Sequence, residues 1–141
     1  MYFFREGFCW TFILNENSEY QKARIKQASV NDVNAMALFP IEGINLNSNF
    51  FVCLLNSYLI FSIKRNFINS TSSFQINDAR LLPIIIPSKE KLSEFKILFN
   101  LAIETKQKQF SSKISITEAE TELARIQKKL DQLVAELYRI I

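Results

Sequence analysis

Two clusters of cationic, amide and hydroxyl side chains are where this chain could do chemistry with a partner. One is Lys22, Arg24, Lys26 and Gln27, in which strand alternation puts Lys22, Arg24 and Lys26 on one face. The other is Lys64, Arg65, Asn69, Ser70, Thr71 and Ser72, inside a window from Glu42 to Asp78 with no carboxylate between its ends. Lys and Arg neutralise phosphates, and Asn, Gln and Arg make paired hydrogen bonds to base edges, so both clusters suit a DNA-contacting surface. The plainer alternative for each is ordinary solvated surface. Lys64-Arg65 also fits the negative end of a helix dipole.

Catalysis has little to work with. There is no His to act as a base near neutral pH, and with Gly7 and Gly43 the only glycines no Gly-rich phosphate loop can form. Cys9 and Cys53 lie in apolar surroundings without metal-ligand spacing, and read as buried free thiols rather than a zinc site, a disulfide or a nucleophile. No cofactor or metal is therefore expected. The formal charge of +3 gives only a modest general attraction to a polyanion, so its distribution matters more than its size. A second carboxylate-free window, Glu104 to Glu118, carries Lys106, Lys108 and Lys113. Thirteen Phe residues without a polar handle read as packing.

The elements that must position these residues fall into two differently built halves. Phe8 to Leu14 is aromatic and β-branched and predicts a strand ending in the turn Asn15-Glu16-Asn17-Ser18. Residues 23–28 alternate and predict its antiparallel partner, and residues 37–41 a short strand ending at Pro40. From Leu46 to about Arg65 apolar residues recur at spacings of three and four, predicting one helix capped by Asn47 or Ser48. A polar loop, a turn or short helix at Asn77–Arg80 and a buried strand Ile84-Ile85-Ile86 follow. Ser88 caps a helix to about Phe110, and the capping boxes Ser115-x-x-Glu118 and Thr117-x-x-Glu120 restart another. There Ala119, Leu123, Ile126, Leu130, Leu133, Leu137 and Ile140 form a heptad seam, matched by Leu92, Phe95, Phe99 and Ala102. An antiparallel helical hairpin is the simplest product, and a homodimer through the same seam its competitor.

Phe50 to Ile63, the most hydrophobic stretch, is interrupted by Asn56-Ser57 and shorter than the roughly 20 apolar residues a bilayer requires. Without the charge order of a signal peptide at Met1–Glu6, a cytoplasmic protein is expected.

An ordered series of segments carries a family resemblance. It runs through Gly7-Phe8-Cys9-Trp10-Thr11, Ala23-Arg24, Asp32-Val33, Ala37-Leu38-Phe39-Pro40, Leu54-Leu55-Asn56-Ser57 and Asn66-Phe67-Ile68-Asn69-Ser70-Thr71. It continues through Ile76-Asn77-Asp78-Ala79-Arg80-Leu81-Leu82-Pro83-Ile84, Ile86-Pro87 and the closing helices. In this order they resemble the TaqI-like C-terminal specificity domain of adenine-specific DNA methyltransferases, including type IIG restriction-modification enzymes and the methyltransferases of BREX phage-defence systems. The resemblance implies a domain that reads double-stranded DNA while a separate catalytic domain or subunit binds S-adenosylmethionine and methylates a flipped adenine. No Asn-Pro-Pro-Tyr motif occurs, so methyl transfer is not expected of this chain by itself.

The combined expectation is an α+β protein, with a small mixed or antiparallel β recognition region over 1–87 and a helical hairpin over 88–141. Its expected role is non-catalytic DNA sequence recognition. One half of a type I restriction specificity subunit is the nearest alternative, and a structural dimerisation domain the alternative from a different class.

Overall fold

Gly7 opens the central strand because nothing larger fits there. An added Cβ would lie 2.4 Å from the Leu38 carbonyl oxygen and 2.8 Å from the Phe39 ring. In the computed structural model, which describes residues 5–28, 35–39, 43 and 46–140, β1 (Gly7–Thr11) lies between β2 (Ala23–Lys26) and β3 (Ala35–Leu38). Both pairings are antiparallel, with Cys9 opposite Arg24 on one side and Ala37 on the other. The expected third strand thus begins earlier than the sequence suggests, while Pro40 and Ile41 lie outside the described residues. The chain is α+β.

Apolar residues from the sheet and the following helices build the core. Trp10 is 1% exposed, and its indole N–H donates to the Phe74 carbonyl at 2.8 Å. That bond satisfies the one polar atom of an otherwise apolar side chain. Phe8 stacks on Phe51 at 5.0 Å, and Phe50, Leu54, Ile60 and Phe74 are buried with them. Both cysteines are free and buried, and burial pushes the Cys53 thiol up to about 12.

The single helix expected over Leu46 to Arg65 is broken. α1 (Ser48–Leu55) ends at Asn56, α2 (Tyr58–Ile63) starts after the cap Ser57, and a π-helical turn (Lys64–Ile68) follows, with a 61° bend between the two parts. The cause is non-local. Asn56 turns its amide onto the open edge of β2, accepting from the Ala23 N–H and donating to the Ala23 carbonyl, both at 2.9 Å. It thereby fills backbone positions that an edge strand would leave unpaired. Ser57 completes the break by donating to the Leu54 carbonyl at 2.7 Å and capping Ile60. Among the described residues no single helix is long and apolar enough to cross a membrane.

The chain divides into two compact units, Met1–Ile84 and Ile85–Ile141, where the sequence placed the junction after Pro87. Ile84-Ile85-Ile86 is neither strand nor buried: the three side chains are exposed, and the Ile85 backbone is engaged by Tyr138 instead of by a ladder. A short helix, α3 (Ile76–Ala79), precedes this run.

In the second unit, α4 (Lys89–Phe110) is capped by Ser88 and α5 (Ile116–Leu137) by the reciprocal Ser115–Glu118 box. The helices pack along one another, and Lys91 at the start of α4 reaches Glu136 at the end of α5 at 3.0 Å. Ala119, Ile126, Leu130 and Leu133 are buried together with Val134, while Leu123 and Leu137 are half-buried. Ile140 is exposed past the helix end, after Arg139 takes a positive φ of 55°.

Candidate nucleic-acid interface

The second basic cluster is gathered around one cleft, of about 350 Å³, and all of it lies within the first unit. Its walls are the turn after β1 and the segment that follows the π-helical turn. Leu14 and Phe61 supply buried apolar surface. Arg65, Ser70, Thr71 and Ser72 line it on one side, with Asn15, Glu16 and Ser18 from the β1 turn. Backbone bonds stitch the two walls together, from the Leu14 N–H to the Ser72 carbonyl at 3.0 Å and from the Phe74 N–H to the Phe12 carbonyl at 2.9 Å.

The residues expected to contact DNA separate into support and surface. Lys64 is only 3% exposed, and its ammonium donates to the Thr71 carbonyl. Burial pushes its pKa down, Asp78 opposes that shift and Arg65 adds to it. Lys64 is therefore part of the cleft lining, but its ammonium is committed to the loop backbone. Asn69 is likewise turned inward. Its carbonyl accepts from the Thr71 N–H at 2.9 Å and the Thr71 hydroxyl at 2.6 Å, and its amide donates to Asp78 at 3.0 Å. Asp78 also accepts from the Gln75 N–H at 2.9 Å, so the loop is tied to the start of α3.

Arg65, Ser70 and Ser72 differ from these. They are exposed, and among the described residues no hydrogen bond occupies the guanidinium or the two hydroxyls. The cleft therefore presents one exposed cation, a short row of hydroxyls and one carboxylate, Glu16. A wall of both signs suits a polar, largely neutral edge such as a nucleobase better than it suits a bare phosphate, since Glu can accept from a base amino group and Arg can donate to ring acceptors.

Lys22, Arg24, Lys26 and Gln27 do not line this cleft. Lys22, Arg24 and Gln27 are exposed, but Lys26 is 4% exposed and is removed from the surface that alternation assigns to it. Its ammonium donates to the carbonyls of Arg5 and Gln27, both at 3.1 Å, and sits 5.4 Å from the centre of the Phe39 ring. The chain closes over the end of β2, which a period-two pattern cannot reveal.

The comparisons with known proteins are negative. No protein-family model, no curated protein and no solved structure matches the chain.

Sequence reasoning missed Asn15, Glu16 and Ser18, which it assigned to a turn. The turn is real, with the Ser18 N–H donating to the Asn15 carbonyl at 3.0 Å, yet it also forms a wall of the cleft. The signal available was a cluster of turn residues one strand away from the basic window, and nothing local says that the two meet. It also passed over Phe67, which is 84% exposed.

Proposed function

We propose that this chain is a DNA sequence-recognition domain of the kind its resemblance to adenine-specific methyltransferase specificity domains implies. It is non-catalytic by itself and acts with a methyltransferase catalytic domain or subunit. The observation that carries the proposal is the division of labour around the cleft. Lys64, Asn69 and Asp78 are spent on holding the loop, while Arg65, Ser70 and Ser72 are presented from that fixed backbone without internal partners among the described residues. A backbone held this way loses little freedom on meeting a ligand, which favours discrimination between closely similar base edges.

Arg65 provides the exposed cation of the cleft, the hydroxyls of Ser70 and Ser72 provide donor or acceptor as required, and Glu16 accepts. The exposed Arg24 of β2 and Lys22, which immediately precedes that strand, form a separate basic strip suited to backbone phosphates. A half of a type I specificity subunit would use the same surface. Dimerisation through the α5 seam has less support, because Ile126, Leu130 and Leu133 are already buried in the single chain.

The test is double-stranded DNA affinity of the wild type and Arg65→Ala as a function of salt. Arg65→Ala should weaken binding and, to the extent that Arg65 touches phosphate, reduce the slope of log affinity against log salt by up to about 1. A folded Arg65→Ala protein with unchanged affinity at every salt would reject the assignment of this cleft.

A further inference from the structure

Among the described residues Phe67 is the most exposed large hydrophobic side chain, at 84%, in a unit where Phe8, Phe50 and Phe74 are all 5% exposed or less. Leaving such a ring in water forgoes the stabilisation that burial gives the other Phe side chains of this unit. The backbone that carries it is firmly tied. The π-helical turn closes through the Asn69 N–H donating to the Lys64 carbonyl at 2.8 Å. Lys64 anchors the turn from beneath through Thr71, and the Asn66 amide holds it to Ser62 through the carbonyl at 2.9 Å and the hydroxyl at 3.1 Å. Turns of this type are rare and recur at functional sites.

The neighbours of Phe67 indicate its occupant. Arg65 and Asn66 are exposed beside it in the chain, Ser70 and Ser72 follow on the cleft, and no carboxylate occurs from residue 43 to residue 77. A ring that anchored a protein partner would be expected among further exposed apolar groups, whereas this one stands among a cation, an amide and hydroxyls. A rigid apolar wedge flanked by a cation and hydroxyls matches the stacked bases of duplex DNA and their polar edges, where Phe side chains enter base steps and unstack them.

We propose that Phe67 is such a wedge, inserted between base pairs of double-stranded DNA next to the strand that Arg65 contacts. The proposal rests on the DNA-recognition reading above and adds a local distortion of the duplex to it. Unstacking a step is unfavourable, and the buried ring and the contacts made by the cleft would offset it.

Phe67→Ala and Phe67→Trp test it, using random-sequence duplexes containing 2-aminopurine, whose fluorescence rises on unstacking. The native Trp10 is buried and hydrogen-bonded, so an iodide-accessible signal from the Phe67→Trp protein comes from position 67. The wild type should raise 2-aminopurine fluorescence on binding. Phe67→Ala should bind roughly tenfold more weakly or worse and lose the rise, and the indole at position 67 should become shielded from iodide on duplex. If the wild type binds while Phe67→Ala matches it in affinity and fluorescence, and the new indole stays iodide-accessible, the wedge alone is overturned. If the wild type binds no duplex, the DNA reading falls and the wedge with it.

Discussion

Replacing Lys64 separates the support of the interface from its surface. Lys64→Met keeps the aliphatic stem and deletes the ammonium, leaving the Thr71 carbonyl without the donor it has in the native fold. Losing a charge-assisted bond and stranding an acceptor costs about 1–3 kcal/mol, and release from the desolvation that pushes the Lys64 pKa down offsets part of it, for a net loss of ~1–2 kcal/mol. In a unit of this size each kcal/mol lowers the melting temperature by roughly 4–8 °C. Lys64→Glu is far worse. It buries a carboxylate facing a carbonyl oxygen, at roughly 3–5 kcal/mol, a large share of the 5–15 kcal/mol that typically holds a domain together. Trp10 fluorescence is the appropriate monitor, because the only Trp lies in the core of the unit that contains Lys64. Lys64→Met should melt earlier yet, while folded, bind DNA within about twofold of the wild type, as expected of a residue with no phosphate contact. Arg65→Ala should show the reverse, native melting with weakened binding. A Lys64→Met protein that melts like the wild type and loses as much DNA affinity as Arg65→Ala would refute the supporting role of Lys64.

Other substitutions probe the frame. Gly7→Ala places a methyl group against the Leu38 carbonyl and the Phe39 ring, so β1 and β3 must move apart, and a loss of roughly 1–3 kcal/mol should appear in thermal or urea unfolding. Leu130→Asp puts a carboxylate at a buried position of α5 and should cost more than about 4 kcal/mol, seen as loss of helical circular dichroism; an unaltered melt would show that α5 does not need that position covered. Glu118 accepts the Ser115 N–H at 2.8 Å, and that bond, followed by the Ser115 side chain, holds its carboxyl below the usual range. A lowered folded pKa contributes stability above the unfolded carboxylate pKa and loses it as pH falls through the folded value, so the stability gap between wild type and Glu118→Gln should narrow on acidification.

The second unit was legible in the sequence because its signals are local. Ser88 and the Ser115–Glu118 box mark helix starts within a single turn, and the structure makes both caps. The break at Asn56-Ser57 was not legible. Apolar spacing of three and four runs straight through it, and its cause is a pair of hydrogen bonds to Ala23, thirty-three positions away. Ile84-Ile85-Ile86 has the composition of a buried strand, yet among the described residues it pairs with no strand. In the candidate site, residue type located the basic loop and the carboxylate-free window, yet type alone could not separate Arg65 from Lys64. Adjacent cations end on opposite sides of the surface because the π-helical turn rolls one inward onto Thr71, and that turn has no simple sequence period.

The most direct test of DNA recognition is selection of a random-sequence duplex pool on the purified chain at low and moderate salt, with sequencing of the retained fraction. A specificity domain should enrich a short motif, with retention falling as salt rises. Retention without enrichment, or no retention at either salt, would contradict sequence recognition by this chain.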